Sequence, residues 1–550
     1  MGHEAYWTRV NAATVRSQAR GVQDPAHFAG FSYLLGTPPP QARSTLGEDP
    51  DAARRIAGVL AEALVHAPDG PVWPAALRAG IAPDDNPFIP AGYTYLFQFV
   101  AHDLVLTTVP FWAAADTGVA SSNGRGRGLQ LDALYGGGPA ACPVAFEPRG
   151  LEDIDRALLR VGRVDPGNQP PQAGVCPFRD LARVHTPSFR QVGPQGVAAV
   201  NFDGAYQVLA ADARNDASTT LAQLTAVLAN AHNILARALP AAGPEASYAH
   251  ARTAMLHLYY RIVRTDLLPR LLHPAVRSRY EQSLPALWTS EGIPLEFSHG
   301  AARVGHAMVR TQYDMNDTVG RGQPIVGVVT ANRGAGDARL PLTPDWTVQW
   351  SRFFDLGGTL NHSRRIAARK SALDSSVFEN HDAAADGTTL RDMLSAALGR
   401  CWRLDALIAE IQRRRPDLIP ADWPFALPAA RQVAIATWLR SLLGDTPAAA
   451  EAIGRLTDDT PLPLFVLLEA ELDPTIQGRC LGVLGSIIVA EVIYRRLAEG
   501  EKRILADLPS AEAALGSLWD EVAALATMPA LVRFVAGKAD FASCGGIPFI

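Results

Sequence analysis

The 550-residue sequence is short of the features that would assign it quickly. It has only five cysteines, Cys142, Cys176, Cys401, Cys480 and Cys544, scattered along the chain. No pair has metal-ligand spacing, and an odd, dispersed set excludes a disulfide scaffold. No apolar run reaches the length needed to span a bilayer; the longest, around Leu481 to Val492, is too short and contains Glu491. A net charge of −5, spread along the chain, leaves no basic footprint for nucleic acid. Arg364-Arg365 and Arg413-Arg414-Arg415 read as solvated faces. Met1-Gly2-His3-Glu4 opens without a basic segment and apolar run, so no secretory signal is expected, and a soluble, reduced, cytoplasmic protein follows. Alternating strand patterns are few, no repeat period appears, and nothing marks a linker between independent cores.

What the sequence does have is helical periodicity and enough length for a large core. Hydrophobic content of 48% against 19% charged describes a folded globular chain. Apolar spacing predicts helices over Ala52–Leu64, Thr219–Ala238, His250–Leu267, Gly300–Arg310, Trp346–Leu356 and Leu484–Ala498. Strands are expected at Gly322–Thr330 and Tyr206–Ala210. Breakers stand at Thr37-Pro38-Pro39-Pro40, Gly136-Gly137-Gly138-Pro139, Asn168-Gln169-Pro170-Pro171 and Ala241-Ala242-Gly243-Pro244. The expectation is a mainly α protein: an N-terminal arm, 1–45, and one large helical domain, 46–550. Ser121 to Gly128 reads as an exposed Gly/Arg/Ser loop.

Two histidine-bearing segments stand about two hundred residues apart. In the first, Gln98 and His102 are four apart and share a helix face; in the second, Arg303 and His306 are three apart. Two histidines on separate helices, each with a polar companion one turn earlier, suit a haem held between them, with one imidazole on the iron. A single histidine on an amphipathic helix is by itself more often a core residue; only the family resemblance of the residues around it reverses that.

The residues Gln98-Phe99-Val100-Ala101-His102-Asp103, Asp212-Ala213-Arg214 and Arg303-Val304-Gly305-His306 resemble the distal, central and proximal motifs of the animal-type haem peroxidases of the peroxidase–cyclooxygenase superfamily, a family that also occurs in bacteria. Leu131-Asp132-Ala133-Leu134-Tyr135-Gly136, Ala231-His232-Asn233, Phe353-Phe354-Asp355-Leu356-Gly357-Gly358, Pro463-Leu464 and Glu469-Ala470-Glu471 extend the likeness, as do Leu481-Gly482 and Ile488-Val489-Ala490-Glu491. Together they cover roughly residues 90 to 495. Each is weak alone; their order and separations make the resemblance strong. The compactness of the chain suits a bacterial member.

The resemblance implies haem between distal and proximal helices, with His306 as iron ligand and Gly305 leaving room for the porphyrin. Arg303 would pair with a propionate. His102 would be the distal base, Gln98 would hydrogen-bond a distal ligand, and Arg214 would stabilise charge on the departing peroxide oxygen. His232-Asn233 is expected to be structural, and His299 and His362 to serve packing or the surface. Asp103 matches a calcium-ligand position and Asp132 a later one, but Gln130 stands where the first acidic ligand belongs, leaving calcium open.

Three departures qualify the picture. Family members that esterify their haem use two carboxylates; Ala101 and Ala217 occupy those positions, and Asp216 is one residue out of register. The haem is therefore expected to be b type and non-covalent, without efficient chloride oxidation. The family's proximal asparagine has no intact counterpart. Counting back from Leu427-Pro428 reaches Asp417, which could supply a carboxylate to His306 but reads first as an exposed turn residue after Pro416. Arg303 occupies the position where cyclooxygenases carry a radical-forming tyrosine. The implied function is a peroxidase that reduces hydrogen peroxide through a ferryl intermediate and oxidises an organic or small-anion electron donor. A haem-dependent fatty-acid or natural-product dioxygenase is the alternative, and a catalytically inactive haem-binding scaffold is the third reading. The sequence does not name the donor.

Overall fold

A computed structural model describes residues 30–65, 82–109, 111, 121–125, 128–147, 157–164, 179–185, 191–193, 196–198, 206–239, 243–283, 285–333, 340–368, 387–444, 446–538 and 547–550. The chain is mainly helical, with short two-stranded ladders. It forms two compact units: one built from 1–129, 263–311 and 362–500, the other from 130–262, 312–361 and 501–550. No helix among the described residues is long and apolar enough to cross a membrane.

In the first unit, the helix Pro50–Val65, with Ile56, Leu60 and Leu64 buried, packs against the helix Thr388–Leu398. The latter also meets the helix Leu462–Leu472, which in turn lies on the segment carrying His306. The helix Gly92–Leu104 follows the strand Asp85–Pro90, where Pro90 keeps the backbone extended and bars an earlier helical start. That strand pairs antiparallel with His362–Arg364. The helix Val483–Ile504, predicted as Leu484–Ala498, supplies fully buried Leu484, Ile487, Ile488 and Val492 to this unit.

In the second unit, the helix Thr219–Arg237 is N-capped by Ser218, whose hydroxyl accepts from the Leu221 N–H at 3.2 Å. Its residues Thr219 to Asn233 are buried on every side, and it packs against the helix Pro244–Ile262. The expected strand at Tyr206–Ala210 is present as Tyr206–Val208, paired with Arg183–His185.

Three expected elements away from the histidine segments differ. Gly322–Thr330 holds only the two-residue strand Gln323–Pro324 before turning into the helix Ile325–Thr330. There Ile325 and Val328 stand three apart and are buried, so burial on a helical face overrides the β preference of Val and Ile. Trp346–Leu356 forms separate 3₁₀ turns at Pro344–Trp346 and Trp350–Arg352. The Trp350 N–H donates to the Phe549 carbonyl at 2.9 Å, and Gly357, at φ +100°, turns the chain beyond. His250–Leu267 divides into the α-helix Pro244–Ile262 and a π-helical turn, Val263–Leu267.

Candidate haem-binding site

The helix Gly92–Leu104 is buried except along one stripe. Gln98, Ala101, His102 and, just past its end, Val105 are part-exposed, while the intervening residues are buried. Their i, i+3, i+4, i+7 spacing places them on one face. Its C-terminal end is fixed by the loop predicted to be exposed. Asn123, fully buried, donates to the Leu104 carbonyl at 3.1 Å and accepts from the Leu106 N–H at 2.8 Å. Arg125 donates through Nε to the His102 carbonyl at 3.0 Å. Ser121 to Arg125 are thus half-buried structure that terminates the helix next to His102, correcting the exposed-loop reading; residues 126–127 lie outside the described range.

The segment with His306 is not the continuous helix expected over Gly300–Arg310. It comprises a turn, Leu295–Ser298, a 3₁₀ turn, Ala301–Arg303, and the four-residue helix Val304–Ala307. The break is at Gly300, where a Cβ would lie 2.2 Å from the Glu296 carbonyl oxygen, a contact only glycine avoids. Buried Glu296 anchors the turn by accepting from the N–H groups of Leu34 at 2.8 Å and Trp402 at 3.2 Å. At the other end the Met308 carbonyl accepts from the Arg364 N–H at 2.9 Å. The bare side of Gly305 faces Phe97 on the Gly92–Leu104 helix, where a Cβ would make ordinary contact at 3.6 Å. The two histidine-bearing elements are therefore neighbours in one unit.

His306 has a partner that the sequence did not reveal. Its Nδ1 lies 2.6 Å from Oδ2 of Asp392, on the helix Thr388–Leu398. The other carboxylate oxygen lies 3.5 Å from Arg303 Nη1, and Arg303 Nε donates to the Ser298 carbonyl at 3.0 Å. The Asp392 side chain is 11% exposed and the imidazole 36%. With Nδ1 committed to a carboxylate, Nε2 is the nitrogen that would meet a metal. Asp417 is exposed and pairs with Arg415 at 2.8 Å; the carboxylate at His306 comes from Asp392 instead. One signal could have found it. Asp392 begins the otherwise uncharged buried run to Ala397, and a buried acid requires a partner.

Asp103, beside His102, is fully buried in the first unit. Arg214, Asp132 and Gln130 belong to the second unit. Arg214 is clamped by Asp212: its Nε lies 3.0 Å from Oδ1 and its Nη2 2.6 Å from Oδ2. Asp212 also accepts from the Arg214 N–H, which starts the 3₁₀ turn Ala213–Asp216. Asp216 is held by Arg183 and by Asn332 Nδ2, and Ala217 is buried. Asp132 opens the short helix Asp132–Tyr135, while the Gln130 amide donates to the Tyr260 hydroxyl at 3.0 Å. Among the described residues, no group of three or more His, Cys, Asp or Glu is arranged to hold a metal ion.

The remaining histidines are structural in their contacts. His232 meets the Tyr135 hydroxyl at 3.0 Å and the Ala157 carbonyl at 2.8 Å, and burial lowers its pKa to about 4. Asn233 exchanges hydrogen bonds with the Leu159 backbone. His299 stacks on Phe111 at 4.2 Å, and burial holds its pKa well below the usual range. His362 is half-buried beside Arg310, and burial again lowers its pKa.

These contacts fit a haem. The imidazole is oriented through Nδ1, and the neighbouring helix turns its one uncovered stripe, with Gln98 and His102, away from the packed core. Residues 175–345 match the family described as animal haem peroxidase, a span that includes Arg214, Arg303 and His306 but not Gln98, His102 or Asp392. No curated protein matches the sequence. Among solved structures, peroxidase A from Dictyostelium discoideum aligns with a TM-score of 0.53 at 15% identity, over 96% of this chain and 97% of that one. Fatty acid alpha-dioxygenases align less well: that of Arabidopsis thaliana at TM-score 0.43 and 11% identity, over 84% of this chain and 75% of its own. That of Oryza sativa gives 0.44 and 12%, over 84% and 77%. In the matched span, residues 175–345, and in its mainly helical fold, the chain is similar to animal haem peroxidases.

Proposed function

We propose that this protein is a haem-dependent peroxidase that reduces hydrogen peroxide and oxidises a small-molecule electron donor. The observation that carries the reading is the 2.6 Å contact between His306 and Asp392, set in the same unit as the Gln98–His102 stripe. His306 would hold the haem, which when bound would supply a redox-active iron for peroxide and donor. His306 binds through Nε2 while Asp392 fixes the ring's plane and tautomer. His102 would serve as base and then acid, moving a proton from one peroxide oxygen to the other. Gln98, one turn earlier, orients the incoming peroxide. Arg214, paired with Asp212, is the residue whose motif would assign it to stabilise negative charge on a leaving oxygen.

The haem is read as b type and non-covalent, because Ala101 on the uncovered stripe cannot form an ester and Asp216 is held by Arg183 and Asn332. Arg303, engaged by Ser298 and Asp392, places no phenol three residues before His306, which favours a peroxidase over a dioxygenase.

The test is the absorption spectrum of purified protein supplied with haem, before and after one equivalent of hydrogen peroxide. A Soret band that shifts with peroxide, and is lost in His306→Ala, is expected. His102→Ala should keep the band but slow the shift by roughly 10²- to 10⁴-fold. A His306→Ala protein with an unaltered Soret band would refute the ligand assignment, and an unchanged rate in His102→Ala would remove it as the base.

A further inference from the structure

Asp392 stands between two groups of one short segment. Its Oδ2 receives the Nδ1–H of His306 at 2.6 Å, and its Oδ1 lies 3.5 Å from Nη1 of Arg303. Arg303 and His306 are three residues apart across the junction of the 3₁₀ turn and the short helix, so one carboxylate reaches both. The arginine is not free to swing away, since its Nε is tied to the Ser298 carbonyl at 3.0 Å. The carboxylate is nearly buried, on a helix otherwise packed with Leu390, Met393, Leu394 and Ala397, so solvent screens the pair only weakly.

We infer that Arg303 and Asp392 are a coupled positioning pair that sets how strongly His306 donates to a bound iron, an inference that rests on His306 being the iron ligand. A carboxylate on Nδ1–H draws the ring proton toward itself and raises electron density at Nε2. The guanidinium on the opposite oxygen withdraws part of that charge and so limits the effect. At 3.5 Å the Arg303 contact exceeds ordinary hydrogen-bond length, so its influence is mainly coulombic. Asp392 increases donation and Arg303 tempers it. In this arrangement Arg303 acts through Asp392 rather than by touching the cofactor.

The two members should therefore shift the iron in opposite senses. Asp392→Asn keeps an acceptor for Nδ1–H but removes the charge: the ferric–ferrous midpoint potential should rise and the iron–imidazole stretching frequency of the ferrous protein should fall. Arg303→Gln should lower the potential and raise the frequency. In the double variant, Arg303→Gln should produce little further change in frequency, because its route through the carboxylate is gone. Asp392→Ala should weaken haem binding by roughly 10- to 100-fold, with most of the loss restored in Asp392→Asn. Shifts in the same direction, or an undiminished Arg303→Gln effect in the Asp392→Asn background, would overturn the coupling while leaving His306 as ligand.

The apo-protein gives an independent readout. Nitrogen-15 NMR at alkaline pH should show the Nδ1–H tautomer of His306, and Asp392→Ala should abolish that preference. An Nε2–H tautomer in the intact protein would overturn the pair whether or not haem binds. A protein whose haem is not attached through His306 would refute the functional reading and this inference together.

Discussion

Replacing Glu469 by glutamine should remove a large part of the pH dependence of stability in the first unit. Glu469 lies on the helix Leu462–Leu472, which packs on the His306 segment, and it is fully buried. Its carboxylate accepts from the N–H groups of Leu484 at 2.7 Å and Gly485 at 3.2 Å. Those donors favour the ionised form, but burial outweighs them and raises its pKa from 4.5 to about 8. Between those values the folded protein holds a proton that the unfolded chain has released. The stabilisation is complete below about pH 4.5 and is lost as pH rises through about 8, with a slope of up to about 1.4 kcal/mol per pH unit. Across about 3.5 pH units that amounts to no more than about 5 kcal/mol.

Glutamine preserves the shape and cannot titrate. Urea unfolding followed by tryptophan fluorescence, at several pH values between about 5 and 8, should show the wild type losing its advantage over Glu469→Gln as pH rises. Glu296 and Glu491 are also raised by burial, and Asp85 rises to about 6, so both proteins retain some pH dependence and the difference between them is the diagnostic quantity. Parallel curves would refute a neutral Glu469 at physiological pH.

In the second unit the sign is reversed. His232, lowered from 6.5 to about 4, contributes stability present above about pH 6.5 and lost as pH falls toward 4. His232→Gln should flatten the acid limb of its unfolding profile, and an unchanged limb would exclude this histidine as the acid-sensitive group. Asn123→Ala should cost about 1–3 kcal/mol by stranding the Leu104 carbonyl and Leu106 N–H, and should speed amide exchange at the end of the Gly92–Leu104 helix; unaltered exchange there would mean that the cap is not needed. Gly300→Ala would push a methyl group into the Glu296 carbonyl, costing about 1–3 kcal/mol and displacing His306. Retention of full haem affinity in that variant would show that the kink is not needed to position His306 for haem. Gly482→Ala, whose Cβ would fall 2.3 Å from the Glu469 carboxyl carbon, should destabilise the same unit by a similar amount, as thermal unfolding would report.

Periodicity located Pro50–Val65, Thr219–Arg237 and Val483–Ile504 closely because each holds a repeating apolar face, and in Thr219–Arg237 Ser218 supplies a local cap. It failed at Trp346–Leu356 and Gly322–Thr330, where distant partners such as the Phe549 carbonyl, or burial of Ile325 and Val328, decide the backbone. Helical spacing and motif order are local properties, and for that reason the sequence could single out the histidines and their companions as candidates. Gln98 with His102, and Arg303 with His306, fall on the described elements of one unit.

By itself, then, the sequence determined the helical character, the two histidine segments, and the absence of a carboxylate at positions 101 and 217. Only the tertiary structure decided which carboxylate meets His306: Asp392 is 86 residues away along the chain, and no periodicity or motif connects residues so far apart. It also decided that Gly300 breaks the segment bearing His306, through a carbonyl four residues earlier, and that Asn123 and Arg125 close the helix bearing His102. Hydrogen-bond partners across long loops are fixed by packing and by the cost of burying an unpaired polar group, neither of which a local pattern encodes.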